Sequence, residues 1–574
     1  MRIPFLSQIH NDLKMDTRHD TVPLSKYPRP SLKRDSFLCL NGEWDIKRKL
    51  EDTKPFDRIL VPYPAGSKLS GLKKDPGKKY VYERKFTLPE GFIKDRVLLN
   101  IGAVDAEALV YVNGKLLGSH EGGYVSFTVD ITDGIDKTPG YINTLSIAVT
   151  DELDHKYPYG KQKKHRGGMW YTPVSGIWKS VWLESVSDDH IKAIEITPSL
   201  DAIDLNIESE ANDYEIEIYD GGHLVTSLST YYDTVRIDIP EPKLWTPEDP
   251  HLYDIKVKTP NDEVTSYFGL RTVSVKETNG IKRILLNEKP YYFHGVLDQG
   301  YFPEGIYTPN TEEDYEADIL RLKALGINTI RKHIKIEPEA FYEACDRLGM
   351  LVFQDMVNNG SYKYIRHTVL PTLGYQKLDD TKVKVKDVTK NNFALSMEDT
   401  LVSLYNFPSV VYYTIFNEGW GQFESDTLYG WAKTMDRTRI IDSTSGWFWQ
   451  EKSDVDSLHI YFKDVNIKRS DRPVILSEFG GISLKIKENS YSRYTNYGYG
   501  KCRTKEDLTN AFVKLYEEQV IPGIKNGLCG SIYTQAFDVE DETNGLYTYD
   551  RKVCKVIEKE MKDLSEKLRI DDEA

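Results

Sequence analysis

Two apolar runs in this chain end on a carboxylate. Residues 410–421 read VVYYTIFNEGWG, and residues 474–481 read VILSEFGG. Glu418 and Glu478 each follow residues suited to a buried strand. Each is followed within two positions by glycine, which would let a ligand approach the backbone. A charge at such a place is costly unless something uses it. Two carboxylates facing one small cavity can divide a reaction between them. One, protonated, gives a proton to a leaving oxygen, while the other, ionised, attacks or activates water. Their repulsion in a partly dry pocket would hold the two pKa values apart. The plainer alternative is a pair of rim ion pairs with lysine or arginine. Two such glutamates at the ends of two apolar strands favour catalysis.

The surrounding pattern supplies a scaffold that could bring them together. From about residue 276, helical segments alternate with short apolar runs, as a parallel α/β domain requires. Eight strand candidates are read: YYFHGVL, TIRKHI, LVFQDM, VVYYTIFN, RIIDST, LHIYF, PVILSEFGG and GSIYTQ. Eight strands over 276–574 predict a (β/α)8 TIM barrel, whose chemistry sits at the C-terminal strand ends. Strands four and seven then lie across the mouth from one another. The stretch NTEEDYEADILRLKALG predicts a helix capped by Asn310 with Glu313 three residues on, stopping at Gly326. The helix between strands six and seven is poorly marked. A long Lys-rich insertion at about 357–390 is expected in the active-site wall or a subunit contact.

Residues 1–186 alternate short β-rich runs with turns and predict an N-terminal β jelly roll. Asn113-Gly114 reads as a hairpin turn, since type I′ needs positive φ at both central residues. Residues 187–275 hold six or seven alternating strands, the pattern of an immunoglobulin-like β-sandwich. EPKLWTPEDPHLY reads as a Pro-rich edge or turn within it.

The 574 residues carry 75 basic against 89 acidic side chains, a formal charge of −14. No basic face is evident, so nucleic acid is not an expected partner. The 38 tyrosines suit carbohydrate surfaces, though most will be ordinary strand residues. Five scattered cysteines show no CxxC pair, so neither a disulfide framework nor a zinc site is expected. The opening MRIPFLSQIHNDLKMDTRHD has no apolar run long enough for a signal peptide. No stretch approaches the ~20 apolar residues of a membrane span. The expected setting is cytoplasmic, without a membrane.

FNEGWG and LSEFGG resemble the acid/base and nucleophile motifs of glycoside hydrolase family 2, the β-galactosidase, β-glucuronidase and β-mannosidase group. The resemblance spans nearly the whole chain. LNGEWDI, RKFTLP, VYVNGKLLGSHEGGYVSFTVDIT and GIWKSVWLE are similar to the family's jelly roll, and FGLRTVSV to the end of its immunoglobulin-like domain. LGINTIRKHIKIEPEAFYEACDRLGMLVFQDM and YTQAFDVEDETNGLYTYDRK are similar to barrel segments. The resemblance implies Glu418 as general acid/base and Glu478 as nucleophile of a retaining double displacement. It implies Asn417 on the sugar 2-hydroxyl, Tyr461 beside the nucleophile, and Arg331 orienting the nucleophile carboxylate. Asp298, His333, His459 and Asp538 are further candidates for sugar contacts, and Trp420, Trp447 and Trp449 for stacking on a sugar face. The family often has Arg-x-Ser-His after strand two, where this chain has Arg331-Lys332-His333-Ile334.

The resemblance further implies an exo-acting β-glycosidase, commonly a homo-oligomer. β-Glucuronidases of the family grip the substrate carboxylate with Asn-x-Lys after strand eight. Here Glu542 and Asn544 stand at those places, and an acid there would repel a uronate. A neutral β-galactoside is thus the leading substrate, with a β-glucuronide or β-galacturonide as alternatives. Family β-galactosidases can use Mg²⁺ and Na⁺, but no matching ligand pair is found, so no metal is expected. A catalytically inert carbohydrate-binding protein is the rival from another class. A metal-dependent barrel hydrolase would need more histidine ligands than FHGVLD supplies.

Overall fold

The computed structural model describes residues 22–570, apart from Phe462 and Arg493. The opening segment read above for a signal peptide lies outside the described residues. Residues 276–570 contain eight parallel strands, labelled β1 (Phe293–Asp298), β2 (Thr329–Lys332), β3 (Leu351–Asp355), β4 (Val410–Asn417), β5 (Ile440–Ser445), β6 (Asp456–Ile460), β7 (Val474–Gly480) and β8 (Leu528–Thr534). Their order in the sheet is β5-β4-β3-β2-β1-β8-β7-β6. Between β5 and β6 the backbone ladder is open, and Ser445 Oγ and Ser457 Oγ meet across the seam at 3.2 Å. All eight strands read from the sequence are therefore present. They are buried on both faces, which is why they read as continuous apolar runs.

Inside the barrel, Phe293, Leu351, Phe353, Val411, Ile475 and Ile532 form a packed floor. Outside it, Val352, Val410, Tyr413 and Leu476 pack against helices that include α1 (Glu313–Ala324) and α2 (Glu339–Leu348). Helix α1 begins three residues after the expected Asn310 cap. The Asp314 carboxylate accepts the Asn310 and Thr311 amides at 2.9 and 3.1 Å, which fixes the chain leading into the helix, while the cap position Glu312 makes no side-chain bond. Gly326, at φ +80°, ends the segment as expected. Among the described residues between β6 and β7 there is no helix.

Before the barrel come two β-sandwiches. In the first, a six-stranded and a four-stranded sheet within 38–186 enclose Trp44, Ile46, Leu99, Val110 and Ile147. Its Glu107–Val112 and Lys115–Glu121 hairpin turns at Asn113 (φ +50°) and Gly114 (φ +83°), the geometry expected from the dipeptide. In the second, three- and four-stranded sheets within 193–268 bury Ile203, Leu205, Ile216, Ile255 and Val257. Asp204 and Asn206, which alternate with the buried residues, face out. The hairpin Val273–Thr278/Ile281–Leu286 runs across residue 275, where the sequence pattern changes. The stretch read as an edge or turn does more than turn the chain. Trp245 is fully buried among the barrel-floor residues and donates its indole N–H to Asp346 O at 2.7 Å. It thereby fixes the second sandwich to the closed end of the barrel.

One buried residue on the outer face of β1 carries a stability prediction. His294 on β1 is fully buried, neither ring nitrogen has a partner, and burial pushes its pKa down to about 3. His333, beyond β2, is likewise pushed by burial down to about 4. An unfolded histidine titrates near 6.5, so the unfolded chain takes up protons that these rings refuse. Stability is then complete above pH 6.5 and declines as pH falls towards 4. The loss is roughly 3 kcal/mol per ring by pH 4. Thermal unfolding from pH 7 to 4.5 should show a falling Tm, with a smaller fall in His294→Leu. An equal fall in both proteins would remove His294 as a cause.

Candidate active site

Glu418 and Glu478 stand at the open end of the barrel, and local backbone irregularities aim both of them. Glu418 follows β4 at φ +54°, a left-handed conformation uncommon outside glycine and typical of functional sites. Its amide donates to Ser445 O at 2.8 Å, and its carbonyl accepts the Trp447 indole N–H at 3.1 Å. Neighbouring elements therefore hold the strained residue from both sides.

Glu478 is aimed by a β-bulge. Leu458 pairs with Leu476 and His459 with Glu478, which leaves Ser477 as the extra residue. Ile475 faces the barrel interior and Leu476 the helices, so strict alternation would turn Glu478 outward. The bulge reverses the parity and points it into the mouth. Ser477 Oγ is anchored by Ser457 Oγ at 2.6 Å and Ser445 Oγ at 3.0 Å.

The glycines after the two glutamates serve packing rather than ligand approach. A Cβ on Gly419 would lie 2.1 Å from Phe448 Cδ2, and one on Gly480 would lie 2.3 Å from the Tyr533 ring. Both also sit at positive φ, +70° and +81°. Aromatic rings occupy the space that the sequence reading had left for substrate.

Arg331, at the end of β2, ties the site together. Its guanidinium donates to Asp355 Oδ1 at 2.9 Å, Glu478 Oε1 at 3.2 Å, Ser477 O at 2.8 Å and Asn417 Oδ1 at 2.9 Å. Asn417 Oδ1 is thereby used, which leaves its amide N–H₂ as the group to meet a substrate. Tyr461 donates its hydroxyl to Glu478 Oε2 and stacks on Tyr499, with ring centroids 4.2 Å apart. Burial raises the Tyr461 pKa well above 10, so it remains a donor. Burial opposes the charge on Glu478, but His459, Arg331, His333 and Lys161 around it hold its pKa well below the usual carboxylate range.

His459 Nδ1 lies 2.8 Å from Glu418 Oε1, and its Nε2 lies 2.8 Å from Ser445 Oγ. His333 Nδ1 meets Asp355 Oδ2 at 2.7 Å, while its buried Nε2 has no partner. The structure thus gathers Glu418, Glu478, Asn417, Tyr461, Arg331, His333 and His459. Other candidates are placed differently. Asp298 is paired with Lys332 at 2.5 Å, and Lys332 also bonds Glu337 at 2.9 Å. Asp538 is buried, and its Oδ1 receives Lys555 Nζ at 2.6 Å and the Gly545 amide at 2.9 Å. Both carboxylates serve ion pairs within the fold. Trp420 is buried edge-on to Tyr159, Trp170 and Tyr362. Trp447 is buried and packs T-shaped against His459. Trp449 on the same loop is half exposed. The insertion reaches the site, since His367 O accepts the Trp447 indole N–H at 3.2 Å.

Several participants escaped the sequence reading. Asp355 ends β3 just as the glutamates end their strands, and that signal was there to be used. The serine triad of β5, β6 and β7 and the tyrosine platform at Tyr499 carry no such mark. Lys161 comes from the first sandwich, far away in sequence.

Glu418, His459 and Glu478 each place one ligand atom within 4.8 Å of the others. Both nitrogens of His459 are hydrogen-bonded, to Glu418 and to Ser445, so a cation there would displace one of these partners.

Residues 274–553 match the profile described as "Glycosyl hydrolases family 2, TIM barrel domain". Residues 185–271 match "Glycosyl hydrolases family 2", and residues 67–178 its galactose-binding domain-like unit. The chain belongs to glycoside hydrolase family 2. Among relatives of this family 2 chain, a β-galactosidase of Thermoanaerobacter pseudethanolicus is 27% identical over 53% of this chain and 43% of its own. The β-glucuronidase of Homo sapiens is 26% identical over 73% of this chain and 70% of its own. Some of these relatives are much longer: the chain spans 43% of the first and 34% of a putative β-glucuronidase of Formosa agariphila. A β-D-glucuronidase structure from Dictyoglomus thermophilum shares the fold with a TM-score of 0.74. It is 20% identical and covers 94% of this chain and 99% of its own.

Proposed function

We propose that this family 2 chain is a retaining, exo-acting β-glycosidase whose substrate is a terminal neutral sugar, with a β-galactoside as the leading case. The observation that carries the reading is the placement of Glu418 and Glu478, with one carboxylate oxygen of each within 4.8 Å of the other. Retaining enzymes hold the two groups about 5–5.5 Å apart, whereas inverting ones leave about 6.5–9.5 Å for a water. Glu478, kept ionised, attacks the anomeric carbon as Glu418 protonates the departing oxygen. Glu418 then takes a proton from water, which displaces Glu478. The Asn417 amide is positioned for the 2-hydroxyl. An inert binder would have no need of an arginine, a tyrosine and a bulge all trained on one carboxylate.

For the sugar, the support is electrostatic. Glu542 is buried with its oxygens held by Tyr171 and Asn544. A glucuronide or galacturonide would bring a second carboxylate beside it. The test is hydrolysis of aryl β-galactoside, glucuronide, galacturonide, mannoside and glucoside, with the released sugar followed by proton NMR. The galactoside should be cleaved and the β-anomer should appear first. First appearance of the α-anomer would overturn the mechanism, and selective cleavage of a uronide would overturn the sugar.

A further inference from the structure

Lys161 lies on a loop of the first sandwich that is folded down onto the barrel mouth. The amides of Tyr159 and Gly160 donate to Asn358 O, beyond β3, at 3.0 and 3.4 Å. Gly160 sits at φ +65°, where a Cβ would come within 3.0 Å of Ile334 O, next to His333. On the other side, Lys161 O accepts the Tyr171 amide at 3.0 Å, and the Tyr171 hydroxyl bonds Glu542. Gln162 is buried and locked by Asp105 and Tyr124. The loop is therefore pinned before and after Lys161, while the lysine itself is only half buried.

The ammonium makes no hydrogen bond or ion pair with any described residue. Its charge is nevertheless felt at His333 beyond β2, at Glu478 on β7 and at Glu542 beyond β8. Those three residues come from three separate strand ends, and the point they share is the mouth itself. A pinned, half-buried cation without a partner there is placed to meet a ligand.

We propose that Lys161 is a glycon-binding residue supplied by the N-terminal β domain, donating to hydroxyls of a neutral terminal sugar held against Glu542. The proposal rests on the glycosidase reading and deepens it. Arg331 already pairs with Glu478, so the carboxylate left to face Lys161 is Glu542, held by Tyr171 and Asn544. A uronate would bring its carboxylate beside Glu542 as well as beside the lysine. Hydroxyls, by contrast, can accept from the lysine and donate to Glu542 with no net charge brought in.

The test separates binding from turnover. Galactose and glucuronate are titrated against wild type, Lys161→Met and Lys161→Gln by calorimetry, with Tm as the control for folding, and aryl β-galactoside hydrolysis is followed in parallel. Wild type should bind galactose in preference to glucuronate. Both variants should keep the wild-type Tm, bind galactose at least tenfold more weakly, and lose at least tenfold in kcat/KM. Galactose binding within twofold of wild type in both variants would overturn the proposal. So would a wild-type preference for glucuronate that disappears in Lys161→Met, which would make the lysine a carboxylate grip. Intact galactose binding in a wild type that hydrolyses nothing would count against the glycosidase reading alone.

Discussion

Glu478→Gln is expected to lower kcat by roughly four orders of magnitude or more on every glycoside the wild type cleaves, with little change in fold. The amide has nearly the shape of the carboxylate but cannot form the glycosyl ester. It also places the neutral amide where Arg331 Nη1 now donates at 3.2 Å and where Tyr461 donates its hydroxyl. Both donors serve a negative charge and lose most of their purpose without it. The depressed pKa of Glu478 adds a second expectation. Its carboxylate remains ionised far below neutral pH, so any acidic limb in wild-type kcat/KM belongs to another group. A 2-deoxy-2-fluoro glycoside, whose second step is slow, should leave wild type with a covalent label on the peptide containing Glu478. Mass spectrometry finding that label on Glu418, or near-wild-type turnover in Glu478→Gln, would reverse the assignment.

Legibility in the sequence followed a physical dividing line. The eight barrel strands could be read because burial on both faces writes each as an unbroken apolar run. A charged group at the end of such a run stands out, which is how Glu418 and Glu478 were found. Asn113-Gly114 was readable for a related reason, since few residues tolerate positive φ twice in succession. What could not be read depends on pairing between distant segments. The bulge at Ser477 exists only relative to the register of β6 and β7, and nothing in SEFGG announces it. Trp245 looked like part of a turn because its contacts lie in a different domain. The expected cap at Asn310 falls short because the helix starts at Glu313, and Asp314 bonds the amides of Asn310 and Thr311 ahead of it. Lys161 is one lysine in KQKKHR, and only the fold of the loop distinguishes it from its neighbours.

The same line explains why the glycines were misread. Gly419 and Gly480 were assigned to substrate because glycine after a strand permits close approach. The structure uses that freedom to seat Phe448 and Tyr533, which in turn hold the strained ends of β4 and β7. Aromatic support of this kind keeps a left-handed glutamate in place without a ligand. The site is therefore preorganised, and binding energy need not be spent on assembling it.

Glu418→Ala should separate the two halves of the reaction. Glycosides with poor leaving groups need a proton on the departing oxygen, and their kcat/KM should fall by roughly 10³ to 10⁴. Dinitrophenyl glycosides need no such proton, so their first step should remain fast while hydrolysis of the glycosyl-enzyme slows for want of a base. A burst of dinitrophenol should then precede a slow steady state. Added azide, a nucleophile that requires no deprotonation, should speed the second step and yield the β-glycosyl azide. His459 makes this variant more informative than usual, because its Nδ1 lies 2.8 Å from the Glu418 carboxylate and could itself be suspected of carrying the proton. If His459 were the acid, losing Glu418 would slow good and poor leaving groups alike, and azide would rescue neither. A steep dependence on leaving group in Glu418→Ala, absent from wild type, assigns the proton to Glu418 and leaves His459 the task of holding that carboxylate in place.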